Sequence, residues 1–427
     1  MTFDTVIIGG GLSGLISGIR LLQNKKKCAI ISSGQSALHF FSGSFDLLNF
    51  LPNGEKVAYP QKEINKLIKN FPEHPYTKLG ENEFNKLTEQ AEQLLKQVGL
   101  HVQGSSEKNH FRITPLGELK PTWLTMPQFA ITHNDSLLPW KKVCLINIKG
   151  FLDFHPEFVS EAFKAKGVKT EIQFFDLPEL DRIRKNPSEF RSTNLSIILD
   201  KESSREKMIE DFSVFSKNSD ALILPDCWGH KNSSLLSDVM KEIGKPIFLL
   251  PTFPPSLIGV YTQQFLKDCF TKLGGTYMLG DSVTEANIKN NRVTEVFTKN
   301  HGNIPFKADN VILSSGSFFS QGIIADMNKV YEPVFSLDTD FLEKRSDWYN
   351  RNLFENQKYQ QFGVKTDNNF RGLKNGKPID NLFVTGAILN GFNPIKEGCG
   401  AGVSILTALY VANQILIKEQ TYESAGQ

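Results

Sequence analysis

Short continuous apolar runs alternate along this chain with segments of helical period. The first run, Val6 to Ile8, leads through Gly9-Gly10-Gly11-Leu12-Ser13-Gly14 into LISGIRLLQ, which predicts a strand, a glycine turn and a helix. A second run, Cys28 to Ile31, stops at SSGQS and completes a βαβ unit. KEINKLIKN from Lys62 and ENEFNKLTEQAEQLLKQVG from Glu81 carry apolar residues at helical spacing and read as surface helices. From His101 to Pro139 the strand-like pieces HFRIT and PTWLT are broken by Pro and Gly, the pattern of a hairpin or meander at a domain junction.

The pattern restarts at Lys142 with VCLINI, a helical stretch near Pro156 to Lys166, and VKTEIQFF. A polar helical region around Asp200 to Ser219, then ALILPD, a helix near Ser233 to Ile243, and PIFLLPT continue the alternation expected of a small α/β unit. After Pro254-Pro255, GVYTQQFLKDCFTKLGG predicts a helix, and TYMLGD, VTEANIKNN, RVTEVFTKN and ADNVILSSGS return the chain to a sheet. The expectation is an α/β chain with a discontinuous Rossmann-like FAD/NAD(P)-binding fold over residues 1–103 and 251–427. An α/β cap domain would be inserted at 104–250, and the hydrophilic TYESAGQ end should fray.

Composition narrows the function. In 427 residues, 48 Lys and Arg against 46 Asp and Glu give a net charge of +2, too weak a field to argue for a nucleic-acid partner. Cys28, Cys144, Cys227, Cys269 and Cys399 are scattered without CxxC spacing, so neither a metal site nor a cysteine-ligated cluster is signalled, and a reducing cytoplasm is expected. Asp4 interrupts the start, so no signal peptide is read there. The apolar stretch Ile247 to Val260 is too short to span a bilayer and holds three prolines, which leaves peripheral membrane contact. The 33 phenylalanines suit an aromatic-rich core, with a hydrophobic partner surface as the alternative.

The glycine turn carries the first chemistry. Gly9 allows a tight turn that continues through Gly10, Gly11 lets a pyrophosphate approach the backbone, and Gly14 lets the helix pack on its strand with the phosphate at the helix N-terminus. Strand Val311 to Leu313 feeds Ser314-Ser315-Gly316, small residues that admit a ligand, though an ordinary strand-ending turn has the same look. Leu382 to Thr385 ends at Gly386, and Gly398-Cys399-Gly400-Ala401-Gly402 opens a long apolar helix. The positive end of that helix suits negative charge on a reduced flavin; the alternative is a helix packed tightly through glycine.

Together these segments resemble the two-dinucleotide-binding-domain flavoprotein superfamily, over roughly residues 1 to 50 and 255 to 417. SSGQSALHFFSGSFDLL, TPLGELKPTWL, LLPTFPPSLIGV, VILSSGSFFSQG and GFNPIKEGCGAGV resemble the family of anaerobic glycerol-3-phosphate dehydrogenase B subunits over nearly the whole chain. That resemblance implies oxidation of sn-glycerol 3-phosphate to dihydroxyacetone phosphate, with electrons passed to a quinone and on to fumarate or nitrate. It also implies FMN as cofactor, a related flavoprotein partner (the A subunit), and an iron–sulfur C subunit that anchors the complex at the inner membrane.

One departure bears on the cofactor. FAD and NAD proteins usually end the second strand with Asp or Glu for the ribose, but here Ile31 is followed by Ser32-Ser33-Gly34. That favours FMN, with FAD bound through a serine hydroxyl as the alternative and NADP as a third option lacking an adjacent arginine. Ser42-Gly43-Ser44 would lie near the flavin phosphate or ring, with Gly386 and Gly400 to Gly402 closing the site; a polar turn is the plain alternative. His39 is a proton donor or a structural side chain, and Lys396 with Glu397 binds substrate phosphate or forms a solvated ion pair. No general base stands out, so the A subunit could oxidise the substrate while this chain relays electrons. Two other readings are a cofactor-free adaptor joining the other subunits and a flavin-dependent RNA-modifying enzyme.

Overall fold

The computed structural model describes residues 1–230 and 232–425, with side chains followed to Lys418. Of the TYESAGQ end expected to fray, residues 421–425 continue the last helix, and residues 426–427 lie outside the described residues. Strand β1 (Thr2–Ile8), helix α1 (Leu12–Gln23) and strand β2 (Cys28–Ser32) form the opening unit as the pattern predicts. Helix α2 (Pro75–Gln97) starts earlier than its sequence period suggests, because Pro75 occupies its first turn and Gly80, at φ 74°, bends it before the periodic part begins.

Strands β3 (Lys142–Ile148), β4 (Lys169–Phe175), β5 (Ala221–Pro225) and β6 (Ile247–Leu250) make a parallel sheet in the order β4-β3-β5-β6. It has its own hydrophobic cluster, built from residues between Ile113 and Leu250. The preceding segment is shared between two cores: Trp123, Leu124, Met126 and Phe129 belong to the main cluster, while Ile113 and Ala130 belong to this second one.

After helix α3 (Leu257–Lys272) come strands β7 (Thr276–Leu279), β8 (Lys307–Leu313), β9 (Arg371–Lys374) and β10 (Lys377–Val384), then helix α4 (Gly400–Ala425). The main sheet runs β7-β2-β1-β8-β10-β9, parallel except for the edge strand β9. Continuous apolar runs suit it because helices cover both faces of a parallel sheet. The segments VTEANIKNN and RVTEVFTKN leave it and pair with each other as an antiparallel hairpin.

Packing between α1 and its neighbours is close. A methyl at Gly18 would stand 2.5 Å from the Phe270 ring of α3. Gly400–Lys418 is long and apolar enough to cross a membrane by length and composition, a property the Ile247 to Val260 stretch lacks. Yet Val403, Ile405, Leu406, Leu409, Val411, Ala412 and Ile415 lie in the main hydrophobic cluster, which is how a core helix passes the same test.

Candidate functional site

Strands β1, β2, β8 and β10 all point the same way, so Gly9, Ser32, Ser314 and Thr385 lie along one carboxyl edge of the main sheet. Strand β1 sits between β2 and β8, where the connections diverge, and such a crevice is where open α/β sheets bind ligands. Gly9 has φ 114°, and a methyl there would stand 2.2 Å from the Ser314 carbonyl oxygen. At Gly14 a methyl would meet the Gly9 carbonyl oxygen at 2.0 Å, so both glycines are demanded by packing. Gly10 is likewise hemmed in by the Tyr277 hydroxyl at 2.0 Å.

Gly11 differs from its neighbours. A methyl there would meet only Ser36 Cβ, at an ordinary 3.6 Å, so the protein leaves open the space a phosphate would need. Among the described residues, the backbone N–H groups of Gly10, Gly11, Leu12, Ser13 and Gly14 make no hydrogen bond, whereas Gly9 N–H donates to Ile31 O and Leu15 N–H to Gly11 O. Helix α1 has no capping side chain and no acid in its first turn. Unmet donors at the positive end of a helix fit an anion.

At the end of β2, the buried Ser32 donates from Oγ to Gly34 O at 2.9 Å, while Ser33 is exposed. Ser36 Oγ donates to Gln263 Oε1 at 2.9 Å, and the Tyr277 hydroxyl donates to Gly10 O at 3.3 Å. This is a neutral polar cluster in the place where an acid is usual. Across the edge, Ser314 Oγ donates to Ile8 O, Ser315 Oγ is buried without a partner, and Gly316 takes φ 86°. Ser13 Oγ donates to Thr385 Oγ1 at 2.8 Å and ties α1 to β10, and a methyl at Gly386 would strike Ser13 Cβ at 2.8 Å.

The start of α4 meets Asp46 and Leu47, just after the segment Ser42-Gly43-Ser44. Gly402 N–H donates to Asp46 O at 2.9 Å, and Tyr76 donates from its hydroxyl to Leu47 O at 2.7 Å, pinning that segment against the helix. Gly402 is therefore engaged within the protein, with Tyr76 2.2 Å from where its methyl would be. Gly400 and Ala401 keep N–H groups without a partner among the described residues. Gly43, at φ 76°, lies over the Phe129 ring, and the Ser44 hydroxyl is buried with no partner.

Lys396 and Glu397 do not form the solvated pair the sequence allows. Lys396 is exposed, but Glu397 is buried and pairs with His74 Nε2 at 3.1 Å, because the 393–397 turn folds its carboxylate inward to accept Asn393 N–H at 2.6 Å. His74 Nδ1 accepts Tyr76 N–H, which makes Nε2 the protonated nitrogen. His74, Glu397 and Cys399 come within 4.8 Å of one another, yet the histidine has no lone pair left for a metal, and burial pushes the Cys399 thiol up. His39 is half-buried, burial pushes its imidazole down, and its carbonyl accepts Ser256 N–H at 3.0 Å before α3. Sequence reasoning missed His110, Arg112 and Lys120; the alternation in HFRIT already puts the first two on one face of a strand.

Comparison with known proteins agrees with this geometry. The family described as "FAD binding domain" matches residues 4–403. The B subunit of anaerobic glycerol-3-phosphate dehydrogenase from Yersinia enterocolitica is 47% identical over 417 residues, covering 97% of this chain and 98% of the relative. The Pectobacterium atrosepticum protein of the same name is 41% identical, with 97% and 99% covered. That of Actinobacillus pleuropneumoniae is 38% identical over 424 residues, again with 97% and 99% covered. The FAD family corrects the expectation of FMN. A missing carboxylate is a weak guide to the nucleotide, because the neutral hydroxyl and amide groups at the end of β2 offer hydrogen bonds of the same reach. The chain belongs to the family of anaerobic glycerol-3-phosphate dehydrogenase B subunits.

Proposed function

We propose that the chain is the flavoprotein B subunit of an anaerobic glycerol-3-phosphate dehydrogenase, with FAD along the carboxyl edge of its main sheet. The observation that carries this is the run of unbonded N–H groups from Gly10 to Gly14, with open space at Gly11. Those amides would hold the pyrophosphate, and Ser32, Ser33, Ser36 and Gln263 the adenosine end. Ser315 and Gly316 would line the middle of the cofactor. Ser42, Gly43 and Ser44 would flank the ring, Gly386 would back it, and the free amides of Gly400 and Ala401 would face its pyrimidine end. Gly402 holds the neighbouring segment in place.

When bound, FAD supplies the two-electron acceptor for oxidation of sn-glycerol 3-phosphate to dihydroxyacetone phosphate, with electrons passed on to a quinone. The residues of this chain orient it and keep water from its buried face. Residues 104–250 would form an inserted cap over that edge. The family relationship supports a multisubunit complex. A flavoprotein A subunit and an iron–sulfur C subunit, holding this chain peripherally at the inner face of the membrane, complete the reading. The five cysteines are scattered without the spacing that holds an iron–sulfur cluster, which fits onward transfer through such a partner. The test is chromatography of the flavin released from the denatured complex and from this chain alone. FAD from both is expected; FMN, or flavin-free protein after reconstitution, overturns the assignment.

A further inference from the structure

The strand His110–Ile113 pairs antiparallel with Leu119–Thr122, placing His110 opposite Thr122 and Arg112 opposite Lys120. Directly opposed residues share a face, as do residues two apart, so His110, Arg112, Lys120 and Thr122 project together. A second antiparallel pairing sets Ser44 opposite Thr125, which puts Ser44, Asp46 and Thr125 on one face. The two faces meet. His110 Nε2 bonds to Thr125 Oγ1, Thr122 Oγ1 donates to Phe45 O at 3.1 Å, and Lys120 Nζ stands 3.4 Å from Asp46 Oδ2.

Arg112 lies in this junction with 8% of its surface exposed. Among the described residues its guanidinium makes no hydrogen bond or ion pair, and its Nε is buried without a partner. Three more atoms there share that condition: Ser44 Oγ, Asp46 Oδ1 and His110 Nδ1. Burial pushes the Arg112 guanidinium down and only the nearby charge of Asp46 opposes this; a buried cation that makes no hydrogen bond is costly, and native proteins retain such a group where something outside the chain completes it. Two cations, Arg112 and Lys120, outweigh the single carboxylate of Asp46, so the junction is suited to an anion. The planar fork of Arg112, the ammonium of Lys120 and the hydroxyl of Ser44 match the oxygens of a phosphate group.

The placement adds to this. Ser44 and Asp46 belong to the segment held against the start of α4 by the bond from Gly402 to Asp46 O. A phosphate on Arg112 would therefore leave the rest of a small phosphate ester beside the residues read above as flanking the flavin ring. We propose that Arg112, supported by Lys120 and Ser44, binds the phosphate of a small phosphate monoester, so that the protein has its own substrate site. This rests on the flavin site proposed above. His110 and the exposed His133, whose rings are 6.3 Å apart, also lie on this side, and Cys399 feels the charge of Asp46. Burial, His133 and the opposing effect of Asp46 leave the His110 imidazole at about 4, so it is neutral near pH 7 and competes little with Arg112 for the anion.

The test measures binding of glycerol 3-phosphate, inorganic phosphate, glycerate and glycerol to the FAD-loaded complex, in wild type and in Arg112→Gln and Arg112→Lys. The first two ligands should bind, glycerate more weakly and glycerol not at all, with Arg112→Gln weakening phosphate binding about 30-fold or more and Arg112→Lys less. Because the charge of Asp46 alone offsets the burial of Arg112, with no hydrogen bond among the described residues, Arg112→Gln should also raise the melting temperature of the ligand-free complex, whereas a structural arginine would lower it. Unchanged binding with Arg112→Gln, a lowered melting temperature, or tighter binding of glycerate than of phosphate overturns the proposal. Retained FAD in that variant keeps the flavin reading intact; loss of FAD from the wild-type chain would defeat that reading instead.

Discussion

The chain holds two parallel sheets with the same logic, yet their carboxyl edges differ. In the main sheet, the turn after β1 shows the backbone donors of Gly10 to Gly14 to the crevice, with none of the described residues bonded to them. In the inserted sheet, whose order β4-β3-β5-β6 also diverges beside β3, the corresponding edge carries acids already engaged. Asp226 binds His230 Nε2 at 2.6 Å and accepts Ile258 N–H at 3.1 Å; Asp200 accepts Gly229 N–H at 2.7 Å, and Asp153 pairs with Arg191 at 2.8 Å. Trp228 and Phe154 are buried, and Trp228 Nε1 and Asp153 Oδ2 have no partner among the described residues. Topology marks where a ligand can sit; what sets the main edge apart is a run of unmet backbone donors at a helix N-terminus, which suits an anion.

The sharpest way to break this comparison is Gly11→Val. Because only Ser36 lies within contact of the new side chain, the fold should stand, while the phosphate approach is blocked. Removing charge-assisted amide bonds worth about 3 kcal/mol predicts roughly 100-fold weaker FAD retention. Flavin content and melting temperature of the purified complex check it; full flavin content would show that the free amides at Gly10 to Gly14 are not the cradle.

The inserted sheet predicts the opposite kind of sensitivity, in stability and not in cofactor binding. Burial would lower the His230 imidazole, but the charge and hydrogen bond of Asp226, joined by Asp200, hold it above its ordinary 6.5. The folded form then binds the proton more tightly than the unfolded one. Its contribution is complete below about pH 6.5 and is lost as pH rises through the raised value. Asp226→Asn should cost about 3 kcal/mol near pH 6 and flatten or reverse that slope, since burial alone disfavours the charged ring. Thermal melts across pH 6 to 8 measure it, and an unchanged slope in the variant would assign the pH dependence to another group.

How far these two edges are legible in the sequence follows from what each depends on. Glycine turns after apolar runs are local, so β1, α1, the turns at Gly316 and Gly386 and the start of α4 all lie where the pattern puts them. Burial of a charge is not local. Glu397 sits beside exposed Lys396 in the sequence, and only folding brings it to His74, a residue more than three hundred positions away. Arg112 escapes notice for the same reason: its interest lies in having no partner, and partners across an antiparallel junction are set by register. The cofactor is misjudged from sequence because an absent carboxylate carries a weight there that hydroxyl and amide groups, brought together from β2 and α3, remove.

That last point yields the finest test of how the main edge reads its ligand. If Ser32 serves the adenosine end, its hydroxyl contributes one neutral hydrogen bond, worth about 1 kcal/mol. Ser32→Ala should then weaken FAD about 5-fold while leaving FMN, which has no adenosine, bound as before. The hydroxyl also donates to Gly34 O, so a melting curve is needed to show that the turn has not loosened. Titration of the flavin-free complex with both flavins separates the cases. Equal weakening of FAD and FMN would mean that the mutation acts through the glycine turn, since Ser32 Cβ also crowds Gly10 at 2.8 Å from where its methyl would stand. Selective weakening of FAD would mean that a neutral strand end does the work usually given to an acid.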